Sequence, residues 1–500
     1  MLVIVSDLHL TDGTCGPTTS PGAFQIFAER LRELTEAASW RSNGRYQPVS
    51  HVDVLLLGDV LDPIRSAQWL ARPTIRPWQN PHDAEFVDLV SKITADILVH
   101  NESGLTILRD LNSEHGLTIP TALRSGGINC EGQRQPVAVR LHYMVGNHDW
   151  FYHLPGTKYS ALRKRIVERM GLANDANEPF PHDAGESDSL LSVMRRHKVT
   201  ARHGDQFDPL NFGGDRDLSS LGDCIVIDLL NRFAVEVGRE LSEDLSAATI
   251  LGLREIDNVR PLLLVPVWID GLLERTCDFP SLRKRVKSVW DHLVEEFLEI
   301  DFVRRYDTRN PFDLVDGLQN ALRFSKRLSI GWASSIATWL NRIRGVESPS
   351  YFQHALAEQD FRSRRSRYIV YGHTHVAESL PLDASYASGC VLNQEYFNSG
   401  TWRRVYRQTC LAPDQHEFIP RNVMSYTVLF HGDERKGRPY ETWTGSLGCR
   451  PADLSVHRID PGTVQHAPHQ PVAAPKLHRH APHFTGPSVD SFGVQLEQLD

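Results

Sequence analysis

Five short segments of this chain share one grammar, and they constrain the fold more than any other feature. Each is an apolar or β-branched run that ends in a tight polar turn. They are LVIV-SDLH (2–9), VDVLLL-GDVLD (52–62), LHYMV-GNHD (141–149), KVTAR-HGDQFD (198–208) and YIVY-GHTH (368–375). Runs of this length bounded by Gly and Asp predict buried strands. Between the first two, FQIFAERLRELTEAASW (24–40) has apolar residues at helical spacing, and AEFVDLVSKITADILVH (84–100) predicts a second helix. Strands alternating with helices predict an α/β domain.

The stretch 104–136, rich in Gly, Pro, Asn and Ser, is expected to be a long excursion. From about 222 to 345 the pattern changes to helical periodicity, as in CIVIDLLNRFAVEVGREL and SVWDHLVEEFLEIDFVRRY, with Gly or Pro between segments. Strand grammar resumes at 368 and continues through 390–406 and 425–430, so the helical stretch is an expected insertion. The expected organisation is a core over 1–221 and 351–450, an all-helical insert over 222–350, and a disordered Pro/His-rich tail over 451–500. The insert's Trp268, Trp290, Phe297, Trp332 and Trp339 are expected in its core, and no internal repeat is visible.

Composition bounds the function classes. With 41% hydrophobic and 23% charged residues over 500 positions, the chain has the make-up of a globular protein with an ample core. A formal net charge of −8 provides no global basic field for nucleic acid. The first apolar run is five residues long without a basic segment before it, so no signal peptide is expected. PLLLVPVWIDGLL (261–273) is too short to span a bilayer and carries Asp270. Seven scattered cysteines without C-x-x-C spacing predict free thiols in a reducing compartment, the cytoplasm.

All five turns place acids, imidazoles or an amide just past a strand's carboxyl end, where open α/β sheets bind ligands. Collected, these are Asp7, His9, Asp59, Asn147, His203, His373 and His375, with His148, Asp149, Asp62 and Asp205 beside them. Four imidazoles, two carboxylates and an amide suit borderline divalent metals such as Mn, Fe, Zn or Ni. Seven ligands are too many for one ion and suit two, if one carboxylate bridges. Taken singly, each of these residues could equally be ordinary turn or capping chemistry; five coincident motifs favour the metal reading.

D-x-H, G-D-x-x-D, G-N-H-D, H-G-D and G-H-T-H, in this order, resemble the calcineurin-like metallophosphoesterase superfamily over roughly 1–215 and 365–430. The resemblance implies a calcineurin-like β-sandwich of two mixed sheets flanked by helices. It also implies two divalent ions, Mn foremost. One would be held by Asp7, His9, Asp59 and His375, the other by Asp59, Asn147, His203 and His373, with Asp59 bridging. His148 matches the family's general acid, with Asp149 expected to orient it. Asp62 and Asp205 are expected behind the ligands. The implied reaction is hydrolysis of a phosphodiester or pyrophosphate by a water activated between the ions.

Within the superfamily, SDLHL followed by H-G-D and G-H-T-H is similar to the UDP-2,3-diacylglucosamine hydrolase branch, which carries a helical cap between those last two motifs. Here 167 positions separate Asp205 from Gly372 and 88 separate Asp59 from Asn147, both expanded. The expected substrate is therefore the wider class of nucleotides, nucleotide-sugars or similar small phosphorylated molecules. A superfamily nuclease and a metal-binding scaffold are the alternatives; the acidic balance weighs against the first and the complete residue set against the second. Arg65, just past the second turn, is a candidate phosphate contact, against the plainer reading of a solvated surface arginine. The tail's six histidines from His457 to His483 are irregularly spaced, so metal binding there is a minor expectation.

Overall fold

In the computed structural model, which describes residues 1–113, 116–306, 315, 318, 322, 350–387, 390–408 and 418–447, each of the five apolar runs forms a strand. The strands in chain order are β1 (Leu2–Val5), β2 (His51–Leu57), β3 (Thr118–Pro120), β4 (Arg134–Pro136), β5 (Ala138–Met144), β6 (Val199–Ala201), β7 (Val259–Arg260), β8 (Tyr368–Tyr371), β9 (Glu378–Ala387), β10 (Cys390–Asn398), β11 (Arg404–Gln408), β12 (Phe418–Leu429) and β13 (Tyr440–Ser446). The protein is a mixed α/β structure built on two mixed sheets.

The first sheet runs β5-β2-β1-β12-β11-β7, with β13 also paired to β12. Its β5, β2 and β1 are parallel, Leu2 lying opposite Asp53 and His51 opposite Ala138, and β12 is antiparallel to β1. The second sheet runs β6-β8-β10-β9, with β6, β8 and β10 parallel.

Alternation along the strands decides what each face packs against. Leu2, Ile4, Leu55 and Leu57 of the first sheet share an apolar layer with Val199, Tyr368, Val370 and Phe397 of the second. Val3, Val5, Val54 and Leu56 face the other way, into a cluster with helical Phe24, Phe27, Leu31, Val90 and Ile93. The helix Pro21–Ala38 starts on Ser20, whose hydroxyl accepts from the Gly22 N–H, and it buries Phe24, Phe27, Leu31 and Leu34 at helical spacing. Ala84–His100 is a helix over the segment that the periodicity predicts.

Two expectations are corrected. The stretch 104–136 is no plain excursion: it continues a helix, Glu102–Asp110, whose Leu105 and Leu108 are buried, and it contains the hairpin β3–β4. Its Gly and Asn mark tight turns between short elements. The insert is also not all-helical. Val259–Arg260 (β7) lies parallel along β11, with Val259 opposite Tyr406. A two-residue strand has no periodicity of its own, and it exists because β11 offers it an edge.

Trp268, Trp290 and Phe297 are buried as expected, in the same cluster as Val3 and Phe24, so insert and first sheet share one core. Polar ties reinforce this: Arg76 is bonded to Asp228 at 2.8 Å, and Trp150 Nε1 donates to Asp223. Cys15, Cys130, Cys224 and Cys277 are free thiols. Among the described residues, no helix is long and apolar enough to cross a membrane. Trp332, Trp339 and the tail from 451 lie outside the described residues.

Candidate metal centre

The turns after β1, β2 and β5 come from the first sheet and those after β6 and β8 from the second, and all seven candidate ligands meet where the two carboxyl ends converge. The turns are stitched by backbone bonds, the Asp7 N–H donating to Gly58 O, the His9 N–H to Asp59 O and the Gly372 N–H to His203 O. Five of the seven have left-handed backbone: Asp7 (φ 55°), His9 (46°), Asp59 (52°), His373 (66°) and His375 (59°). Such a conformation costs a non-glycine residue about 1–3 kcal/mol, and it recurs where surrounding structure holds functional side chains in place. Two glycines give the ligands room. A Cβ on Gly58 would lie 2.4 Å from His203 Nδ1, and one on Gly146 would lie 2.4 Å from Asp59 Oδ1.

Asp59 sits at the middle. Its Oδ1 accepts from the His148 N–H at 2.9 Å, while Oδ2 lies 3.2 Å from His203 Nε2 and 3.6 Å from His9 Nε2. On one side, Asp7, His9 and His375 bring ligand atoms together, with His375 Nε2 3.2 Å from Asp7 Oδ1 and 3.1 Å from His9 Nε2. On the other side, Asp59, His203 and His373 form a second such group, and His203 Nε2 lies 3.2 Å from Asn147 Oδ1. A third grouping, His9, Asp59 and His148, overlaps both.

The donor chemistry fits cations. His203 Nδ1–H donates to Leu57 O at 3.0 Å and His9 Nδ1–H to Asp62 at 2.8 Å, so in both rings Nε2 is the atom turned toward the carboxylate oxygens, ready to hold a proton or a metal ion there. Asp7 Oδ1 is buried without a hydrogen bond. Lone pairs converging on lone pairs require positive charge between them. Electrostatics agree: burial disfavours a charged His203, yet Asp59 and Asp7 overcome it and raise its pKa to about 10. A divalent cation would compete with that proton for the same lone pair. Burial opposes ionisation of Asp7 too, but the His203 and His375 imidazoles hold it down at about 2. His375 is pushed down to about 3 by burial and by the Arg260 charge, which keeps it neutral and able to ligate.

The neighbours are less as expected. Asp62 stands behind the ligands, its Oδ2 on His9 Nδ1 and its Oδ1 on His148 Nδ1, each at 2.8 Å. Asp149 does not orient His148, correcting that expectation. It is buried and accepts instead from Gly146 N, Val60 N and the Tyr143 hydroxyl, bracing the turn; burial and the Asp59 charge raise its pKa to about 7. The chain leaves Asp149 on the far side of the turn from the ring, and Asp62 reaches the ring from the turn after β2. Asp205 is buried and bonded to Arg216 at 2.9 Å, behind the ligands.

Arg65 is corrected as well. It is neither solvated nor open to a phosphate: it is fully buried, donates to Asn231 Oδ1 and to Cys15 O, and lies 3.6 Å from Asp257. It fastens the second turn to the insert.

Four further residues that the sequence reading did not single out border the site. Asp208 Oδ2 is 3.3 Å from His373 Nε2, and Asn211 accepts from the Asn147 side-chain amide. Arg260 Nη2 lies 3.5 Å from His375 Nε2. Arg403 is buried, bonded through Nη1 to Asp257, and its Nε and Nη2 have no hydrogen bond. Asp208 alone carried a signal, as the second acid of HGDQFD. No family model matches this chain, and no curated protein matches it.

Proposed function

We propose that this chain is a metal-dependent phosphoesterase of calcineurin-like type, using two divalent ions to hydrolyse a phosphodiester or pyrophosphate bond in a small anionic substrate. The observation that carries the reading is Asp59: one oxygen faces His9 and His203, one from each ligand group, while the other takes the His148 N–H. One ion would be held by Asp7, His9, Asp59 and His375, the other by Asp59, Asn147, His203 and His373. When bound, such ions polarise phosphoryl oxygens and make water nucleophilic near neutral pH.

The chain's own residues supply the rest. His148 donates Nδ1–H to Asp62, which leaves Nε2 to hold the proton that a departing alkoxide or phosphate requires. Burial disfavours its charged form, but without ions bound Asp62 and Asp59 overcome this and raise its pKa to about 10, and the Asp62 contact favours a protonated ring. Arg260 and Arg403 add positive charge beside His375 and His9, each lowering its neighbour's pKa in support of burial. Guanidinium groups there favour a substrate with anionic charge beyond the reacting phosphate.

The test is turnover of bis(p-nitrophenyl) phosphate, a nucleoside-diphosphate sugar and single-stranded DNA by Mn²⁺-loaded protein. We expect hydrolysis of the first two, loss of both on chelation, and loss of both in Asp59→Asn. Retained activity in a folded Asp59→Asn variant overturns the reading. Turnover of DNA alone makes the chain a nuclease.

A further inference from the structure

Apart from this centre, His153, His182 and Asp217 bring three ligand atoms within 4.8 Å of one another. They come from three segments: the turn Trp150–His153 that follows His148, the residue two before the turn Ala184–Glu186, and the loop after Asp205–Phe207. The two rings lie with centroids 4.3 Å apart. Asp217 meets both, Oδ1 at 3.0 Å from His182 Nε2 and Oδ2 at 3.8 Å from His153 Nε2.

Hydrogen bonding fixes which atoms are acceptors. His153 Nδ1 lies 3.0 Å from the carbonyl oxygen of Phe180, which can only accept, so Nδ1 carries the hydrogen. Its Nε2 is then the ring atom that faces a carboxylate oxygen. Asp217 is ionised, its pKa held down by His182 and His153 against the effect of burial. His182 is kept neutral, chiefly by burial; its Nε2–H donates to Asp217 Oδ1 at 3.0 Å, and its Nδ1 is buried without a hydrogen bond. Each ring thus turns Nε2 toward an oxygen of the same carboxylate, and a cation replacing the ring protons would find three donor atoms already gathered.

The other charges nearby are already committed. Arg216 is paired with Asp205 at 2.9 Å, and Glu186 accepts from the His182 backbone N–H at 2.8 Å. We propose that His153, His182 and Asp217 form a separate zinc site. Two imidazole nitrogens and a carboxylate oxygen are a borderline donor set that suits zinc. Tetrahedral bonds of about 2.0–2.2 Å put ligand atoms roughly 3.3–3.6 Å apart, and the two observed separations of 3.0 and 3.8 Å bracket that range. Water can fill the fourth position, because the side chains of His153 and Asp217 are 20% and 39% exposed. The ion would clip the turn after His148 to the loop that follows His203.

The experiment measures zinc per chain by elemental analysis in full-length protein, saturated with Zn²⁺ and freed of excess. It compares wild type with His153→Gln and with His153→Gln/Asp217→Asn, each also in an Asp59→Asn background. We expect each variant to hold about one equivalent less than its parent in both backgrounds, and Co²⁺ substitution of the parent to give a visible ligand-field band that the variants lack. Unchanged circular dichroism establishes that the variants are folded. Equal zinc content in parent and either folded variant overturns the site. That result is distinct from failure of the two-ion reading, which shows as no effect of Asp59→Asn on metal content.

Discussion

His9 and His148 are held by the same carboxylate, each Nδ1 lying 2.8 Å from a different oxygen of Asp62. A metal-ligand candidate and the candidate acid therefore share one anchor, and their rings meet edge to face at 4.7 Å. An ionised carboxylate can accept from both rings. An amide can accept through one atom only. Asp62→Asn should therefore release one of the two rings, lowering metal affinity or kcat by about 10–100-fold. Metal content and turnover measured together identify which ring was freed; a variant unchanged in both would show that the shared anchor is not needed.

His148→Asn should leave metal content near wild type, because the ring's Nδ1 is committed to Asp62 and the residue is assigned the acid's role. Loss of a general acid costs about 10²–10⁴ in rate. The loss should be large for an alkyl phosphodiester or a nucleotide-sugar pyrophosphate and small for a nitrophenyl ester, whose leaving group hardly needs a proton. Equal losses on both substrates would contradict a proton-donating role.

Arg65→Ala should act on stability. It removes a buried guanidinium from Asn231, the Cys15 carbonyl and the Asp257 carboxylate, leaving buried polar groups without partners. Breaking a buried charged pair in this way costs about 3–5 kcal/mol. Urea unfolding should show that loss, while the folded fraction keeps the wild-type KM for a phosphorylated substrate. A raised KM at unchanged stability would return Arg65 to the role of phosphate contact.

Acid stability depends in part on Asp53, buried on β2 and gripped from β5 by Arg140 at 2.8 Å and His142 at 3.1 Å. Burial disfavours its charge, but these partners prevail and hold its pKa at about 2. A carboxyl whose folded pKa lies below its unfolded value contributes stability that is full above the unfolded value and is lost as pH falls through the folded one. The window is therefore about pH 4 down to pH 2, and the contribution is on the order of 2 kcal/mol. Asp53→Asn should be less stable than wild type at pH 7, with the gap closing as pH is lowered to 2. A gap independent of pH would show that the charge of Asp53 contributes nothing.

Local chemistry was legible in the sequence. A run such as LVIV or YIVY becomes a strand because its apolar residues must be buried, and the Gly, Asp and His that follow can only turn. Those five units alone place Asp7, His9, Asp59, Asn147, His203, His373 and His375 at strand ends, and Ala84–His100 is a helix by its own periodicity. Which groups then touch was decided across the chain, by the packing of two sheets. Asp149 is next to His148 in sequence yet bonds Tyr143 and Gly146, while Asp62, 86 positions away, takes the ring. Arg65 is written like a surface residue and is buried because the insert, with Asn231 and Asp257, closes over it. Arg260 reaches His375 only because β7 finds an edge on β11. Strand and turn propensities act over a few neighbouring residues, whereas the partners of a buried charge are chosen by whatever the folded core brings within hydrogen-bond reach.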